Sequence, residues 1–84
     1  MKKYIIAVMI YDRRTDDIIG DDAHTFTCLS QAQEYYYETI GRYICGFKLA
    51  KVDIDTNTKF DFPKLCVIRD EVTSIGIALS EMDN

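Results

Sequence analysis

His24 and Cys28 stand four residues apart, and no other pairing of residue types here is better suited to nucleophilic catalysis. With one histidine in the chain, any cysteine or serine nucleophile must use His24 as its base. A helix beginning near Cys28 would lower the thiol pKa through the exposed amides and dipole of its first turn. The same cysteine fits equally well on the flank of a buried helical stripe, so the pair is a weak signal. Asp16, Asp17, Asp21 and Asp22 beside His24 suggest a cation site at first reading. A helix-loop-helix calcium loop, however, needs alternating acidic ligands, a central glycine and a terminal bidentate glutamate, and this stretch has paired aspartates instead. Cys28, Cys45, Cys66 and His24 supply the right elements for zinc, but only His24 and Cys28 approach the close ligand spacing of such sites. The sequence contains no glycine-rich phosphate loop or nucleotide fingerprint. A non-enzyme without metal or cofactor is expected.

The elements that must position these residues are mostly strands. Residues 28–45 are the exception. At about 100° per residue, Leu29, Ala32, Tyr36, Ile40 and Tyr43 share one stripe, with Gln31, Glu34, Glu38 and Arg42 opposite. The helix should start between 27 and 30, where Thr27 and Ser30 are both good caps, and stop at Gly46 through a left-handed residue. Residues 3–11 are apolar on both alternating faces, Tyr4, Ile6, Val8 and Ile10 on one and Ile5, Ala7, Met9 and Tyr11 on the other. That pattern marks a central strand covered on both sides. Its apolar run leads straight into Asp12-Arg13-Arg14 without a small-residue cleavage site, so a strand is a better reading than a signal peptide.

A polar turn at 12–17 and a return strand from Ile18 follow. After the helix, Ala50, Val52 and Ile54 alternate with Lys51, Asp53 and Asp55, and Lys59 to Phe62 answers them. A register pairing Asp55 with Lys59 sets Ile54 against Phe60 and Val52 against Phe62. Leu65 to Arg69 reads as a short strand. Val72 to Leu79 reads as another, with a terminal helix as the alternative, and Ser80 to Asn84 should fray. The expected fold is one α+β domain spanning 1–84. It is an antiparallel sheet of four to six strands with one long amphipathic helix on one face, ββαββ plus short C-terminal strands.

With 84 residues, 48% of them hydrophobic, the chain is long enough for a core but small enough to gain from association. A formal charge of −4 argues against direct nucleic-acid or anionic-membrane binding and favours a protein partner with a basic surface. No apolar run reaches membrane-spanning length, and three scattered cysteines fit a reducing cytoplasm. One helix covers one sheet face. The second apolar face of residues 3–11 therefore needs the C-terminal segment or another copy of the chain, and a homodimer is expected.

Two groups qualify as partner-binding candidates. Tyr35 and Tyr37 flank the helical stripe with Tyr43 close by, and tyrosine is enriched at interfaces because it joins rigid apolar area to a polar tip. Asp53 and Asp61 become cross-strand neighbours in the favoured register, with Asp55 beside them, and like charges so placed invite a basic partner. In size, acidity and lack of catalytic motifs the chain is similar to small proteins of phages and mobile elements, some of which inhibit host nucleases such as CRISPR effectors. The similarity is one of type and assigns no residue roles; it implies a protein partner. A homo-oligomeric small-ligand-binding module is the alternative, and an enzyme using the Cys/His pair the third.

Overall fold

The computed structural model describes residues 2–46, 51–54 and 63–83. Its elements run β1 (Lys2–Asp12), β2 (Ile18–Phe26), α1 (Leu29–Gly46), β3 (Lys51–Ile54), β4 (Lys64–Arg69) and β5 (Thr73–Asp83). All five strands form one antiparallel sheet in the order β2-β1-β5-β4-β3. The α+β class and the single helix on one sheet face are as the sequence predicts.

Side-chain alternation sorts each strand into two faces. Tyr4, Ile6 and Val8 of β1, Cys66 and Ile68 of β4, and Ile75, Ile77 and Leu79 of β5 are buried on the same side. Against them α1 buries Ala32, Tyr36, Thr39 and Ile40, the stripe read from the sequence, with Leu29 and Tyr43 packed at its margins. Buried Thr39 turns its hydroxyl back to donate to the Tyr35 carbonyl at 2.7 Å, which satisfies it within the helix.

Four points refine or correct the sequence reading. First, the expected C-terminal strand pair is β4 and β5, and β5 pairs with β1 along its whole length in the middle of the sheet. Second, residues 80–83 belong to that strand and do not fray. An ion pair from Lys2 to Glu81 at 2.9 Å holds its end, and the carboxylate raises the lysine pKa. Third, β3 pairs with β4, Val52 opposite Ile68 and Asp53 opposite Val67. The partner segment predicted from the sequence, 59–62, lies outside the described residues. Fourth, Gly46 is the last helical residue but has no positive φ, so no left-handed glycine ends α1.

The β1–β2 turn and the β4–β5 turn meet at one end of the sheet. Arg13 donates its backbone N–H to the Val72 carbonyl at 2.7 Å and its guanidinium to the Asp70 carbonyl. The Asp70 carboxylate accepts from the amides of Val72 and Thr73 at 2.8 and 2.7 Å, which lowers its pKa. Asp12 plays the equivalent part for Arg14, accepting its amide at 2.9 Å, and its pKa is lowered for the same reason. Asp16 sits in the left-handed region at φ 59°, a conformation that aspartate tolerates better than most residues.

Candidate interaction surfaces

The β2 strand delivers His24 to the helix, where packing claims it. Its ring lies 4.8 Å from that of Tyr35 and its Nε2 is 2.9 Å from the Asp22 carboxylate. Phe26 adds a second ring 5.3 Å from Tyr35, and the Arg42 guanidinium lies 5.9 Å from the Tyr35 ring centre. Tyr35 is thus half-buried in a cluster that fastens α1 to β2. The histidine proposed as a base is oriented by Asp22 and Tyr35.

Cys28 is the N-cap of α1, its carbonyl accepting the Ala32 amide at 3.1 Å. Its Sγ lies 3.0 Å from the Ser30 hydroxyl. That hydroxyl, with the amides of Gln31 and Ser30, lowers the thiol pKa. The sulfur therefore stands where serine or aspartate usually caps a helix. Cys45 is exposed at the far end of α1, and Cys66 is buried on the helix-covered face of β4. Among the described residues no three His, Cys, Asp or Glu side chains converge on a metal-sized site.

The candidate partner residues are scattered. Tyr37 projects outward, 56% exposed, with its ring edge-on to that of Tyr36 at 5.3 Å. Tyr43 is half-buried against the core margin, beside the buried stripe rather than out in solvent. Asp53 stands opposite Val67 in the β3–β4 register, while Asp55 and Asp61 lie outside the described residues.

Two further surfaces lie outside the partner-binding candidates. One is the sheet face away from α1, which joins the second apolar face read from residues 3–11, Ile5, Ala7, Met9 and Tyr11 of β1, to Leu65 and Val67 of β4, with Leu65 51% exposed. Between those strands runs the small-residue row Ser74, Gly76, Ala78 and Ser80 of β5. Its signal was the strict alternation of small residues with Ile75, Ile77 and Leu79. Among the described residues no element lies over this face. A depression of about 480 Å³, lined by Ala7, Val8, Met9, Asp21, Asp22 and Ala23, marks its β1–β2 side.

The other surface is the outer edge of β2, nine residues long and last in the strand order. Ile18 and Ile19 are 54% and 61% exposed there, next to Asp16, Asp17, Asp21 and Asp22. Ile19 is the extra residue at a register shift, since Ile10 faces Gly20 but Tyr11 faces Ile18. No family model matches the chain, and neither curated proteins nor solved structures give a significant match. No helix among the described residues is long and apolar enough to cross a membrane.

Proposed function

We propose that this chain is a non-enzymatic interaction module whose β2 edge takes up a basic, extended segment of another protein. The carrying observation is the nine-residue outer edge of β2, which pairs with no strand among the described residues, with two exposed isoleucines among four aspartates. A strand edge offers a row of backbone donors and acceptors to an incoming strand, so the backbone supplies affinity and the flanking side chains choose the sequence. The aspartates oppose pairing of β2 with another β2, because like charges would face each other, and favour a strand bearing lysine or arginine. The surrounding acidity speeds encounter with such a partner.

The more specific form of this reading is a cytoplasmic inhibitor, encoded by a phage or mobile element, that docks on the basic surface of a host nuclease or defence effector. Its support is the combination of small size, acidity and three free thiols suited to a reducing compartment. A second reading, a ligand-binding homo-oligomer, is favoured by the depression beside Ala7 and Ala23.

Selection from a random ten-residue peptide library tests the edge reading. The expected winners alternate Lys or Arg with β-branched residues and lose binding as salt rises. Binding should also fail for the folded variant Asp17→Lys/Asp22→Lys and for Ile18→Ser/Ile19→Ser. Winners indifferent to both variants would overturn the reading.

A further inference from the structure

The geometry points to a second copy of this chain as the occupant of the open sheet face. The two copies are related by a two-fold axis parallel to the strands, with β1 of each lying over β5 of the other. On the open side Ile5 pairs with Ser80, Ala7 with Ala78, Met9 with Gly76 and Tyr11 with Ser74. Each large β1 residue therefore has a small neighbour on β5, making a ridge beside a trough.

A two-fold axis midway between β1 and β5 keeps every row level and exchanges the two strands. Met9 then faces the partner copy's glycine trough, Tyr11 and Ile5 face small hydroxylated residues, and alanine meets alanine. The ridge of each copy fills the trough of the other, as an isologous interface requires.

Gly76 supplies an independent reason. Glycine in the middle of a central strand weakens it and often marks the close approach of another chain. A Cβ built at Gly76 meets nothing within 4 Å, so packing inside this chain does not require glycine there.

Charge selects the orientation. Asp21 lies in the row of Met9, Gly76 and Val67, and Arg69 lies in the next row with Tyr11 and Ser74. The proposed axis carries β2 of one copy over β4 of the other, bringing Asp21 within reach of the partner copy's arginine on both sides of the interface. An axis across the strands would instead lay the acidic β2 over itself. The area also suffices. Four strands about 4.8 Å apart and about nine residues long present roughly 570 Å² per copy, close to the lower bound of stable specific interfaces when both copies are counted.

Light scattering from about 1 μM to about 1 mM, with far-UV circular dichroism as the check of folding, tests the proposal. The wild-type chain should approach twice its 9.7 kDa mass. Gly76→Thr, which adds a β-favouring side chain where space is free, should stay folded and become monomeric. Asp21→Arg and Arg69→Asp should each raise the dimer dissociation constant about tenfold or more, and the double variant should recover most of that loss. A wild-type monomer throughout the range would overturn the proposal. So would a dimer that ignores Gly76→Thr, or charge variants that do not compensate. Gly76→Thr and Arg69→Asp leave all four aspartates and both isoleucines of the β2 edge intact, so failure here and failure of peptide capture are read separately through them, while Asp21→Arg, which alters that edge, is read only through its compensation by Arg69→Asp.

Discussion

The two faces of this sheet are made by the same strands, yet they solve different packing problems. On the covered face β1, β4 and β5 all present bulk, and α1 closes over it with a stripe that begins at Ala32 and broadens to Tyr36 and Ile40. On the open face bulk is confined to β1 and β4, and β5 between them is reduced to Ser74, Gly76, Ala78 and Ser80. A helix is convex and fits over a bulky, twisted surface. The open face is corrugated, and what fits a ridge beside a trough is the same profile turned about a two-fold axis. Apolarity alone does not distinguish the faces; the distribution of side-chain size across the strands does.

The difference can be broken most severely on the covered side. Ile77→Ala should cost about 3–5 kcal/mol and Ile40→Ala about 2–4 kcal/mol in urea unfolding, because both leave cavities between helix and sheet. Glu38→Ala on the solvent side of α1 should be near neutral, within about 0.5 kcal/mol. Equal effects at Ile40 and Glu38 would contradict the burial of the helical stripe. Met9→Ala, measured where the chain is monomeric, should cost about 1 kcal/mol, since its side chain is already half in water. At concentrations where the dimer forms its cost should rise. A full core-sized penalty in the monomer would mean that the open face is already covered within one copy.

Much of the covered face was legible in the sequence because it depends on periodicity within single segments. The helical stripe from Leu29 to Tyr43, the two apolar faces of residues 3–11, and the alternation of Ile75, Ile77 and Leu79 each follow from local spacing. What depends on pairing between segments was read less well. Residues 51–54 pair with Lys64–Arg69, a partner the sequence reading did not name, while the expected hairpin partner 59–62 lies outside the described residues. A chain end is expected to fray, but Ser80 to Asp83 lie against the start of β1, where an eleven-residue ladder and the Lys2–Glu81 pair hold them. Of the partner candidates, Tyr35 is engaged by His24, Phe26 and Arg42 across two elements, which no spacing in the sequence announces. The β5 trough was visible as small residues between large ones, but its meaning required knowing that β5 lies beside β1.

The ends of the strands provide a control that neither face should influence. Asp12 and Asp70 both have lowered pKa values because their carboxylates accept backbone amides in the adjoining turns. A carboxyl group depressed in the folded state stabilises it above the ordinary carboxylate pKa. That contribution is lost as pH falls through the lower folded value. The melting temperature should therefore decline in acid below about pH 4, and Asp70→Asn should flatten that decline while retaining an oxygen for the turn amides. An unchanged acid profile in Asp70→Asn would remove this turn from the account. Because both carboxylates sit at the turns at one end of the sheet and are held by backbone amides there, the slope should be the same for the wild-type chain and for the monomeric Gly76→Thr variant.

The smallest expected effect distinguishes the two ends of the burial scale by chemistry. Cys66 lies on the covered face with no exposed surface, whereas Cys28 caps α1 in solvent with its thiol pKa lowered by Ser30 and the first-turn amides. Thiolate is the reactive form, so Cys28 should react with a soluble disulfide reagent at a lower pH than an ordinary thiol. Cys66 should react only when helix and sheet separate, and its rate should follow urea in parallel with global unfolding. Replacing Cys28 by serine keeps an N-cap acceptor and should change stability by no more than about 0.5 kcal/mol, while abolishing the fast phase of labelling. If the fast phase survived Cys28→Ser with Cys45 also replaced, Cys66 would be reachable from solvent. The helix-covered face would then be no better sealed than the open one, and the contrast between the two faces would fail.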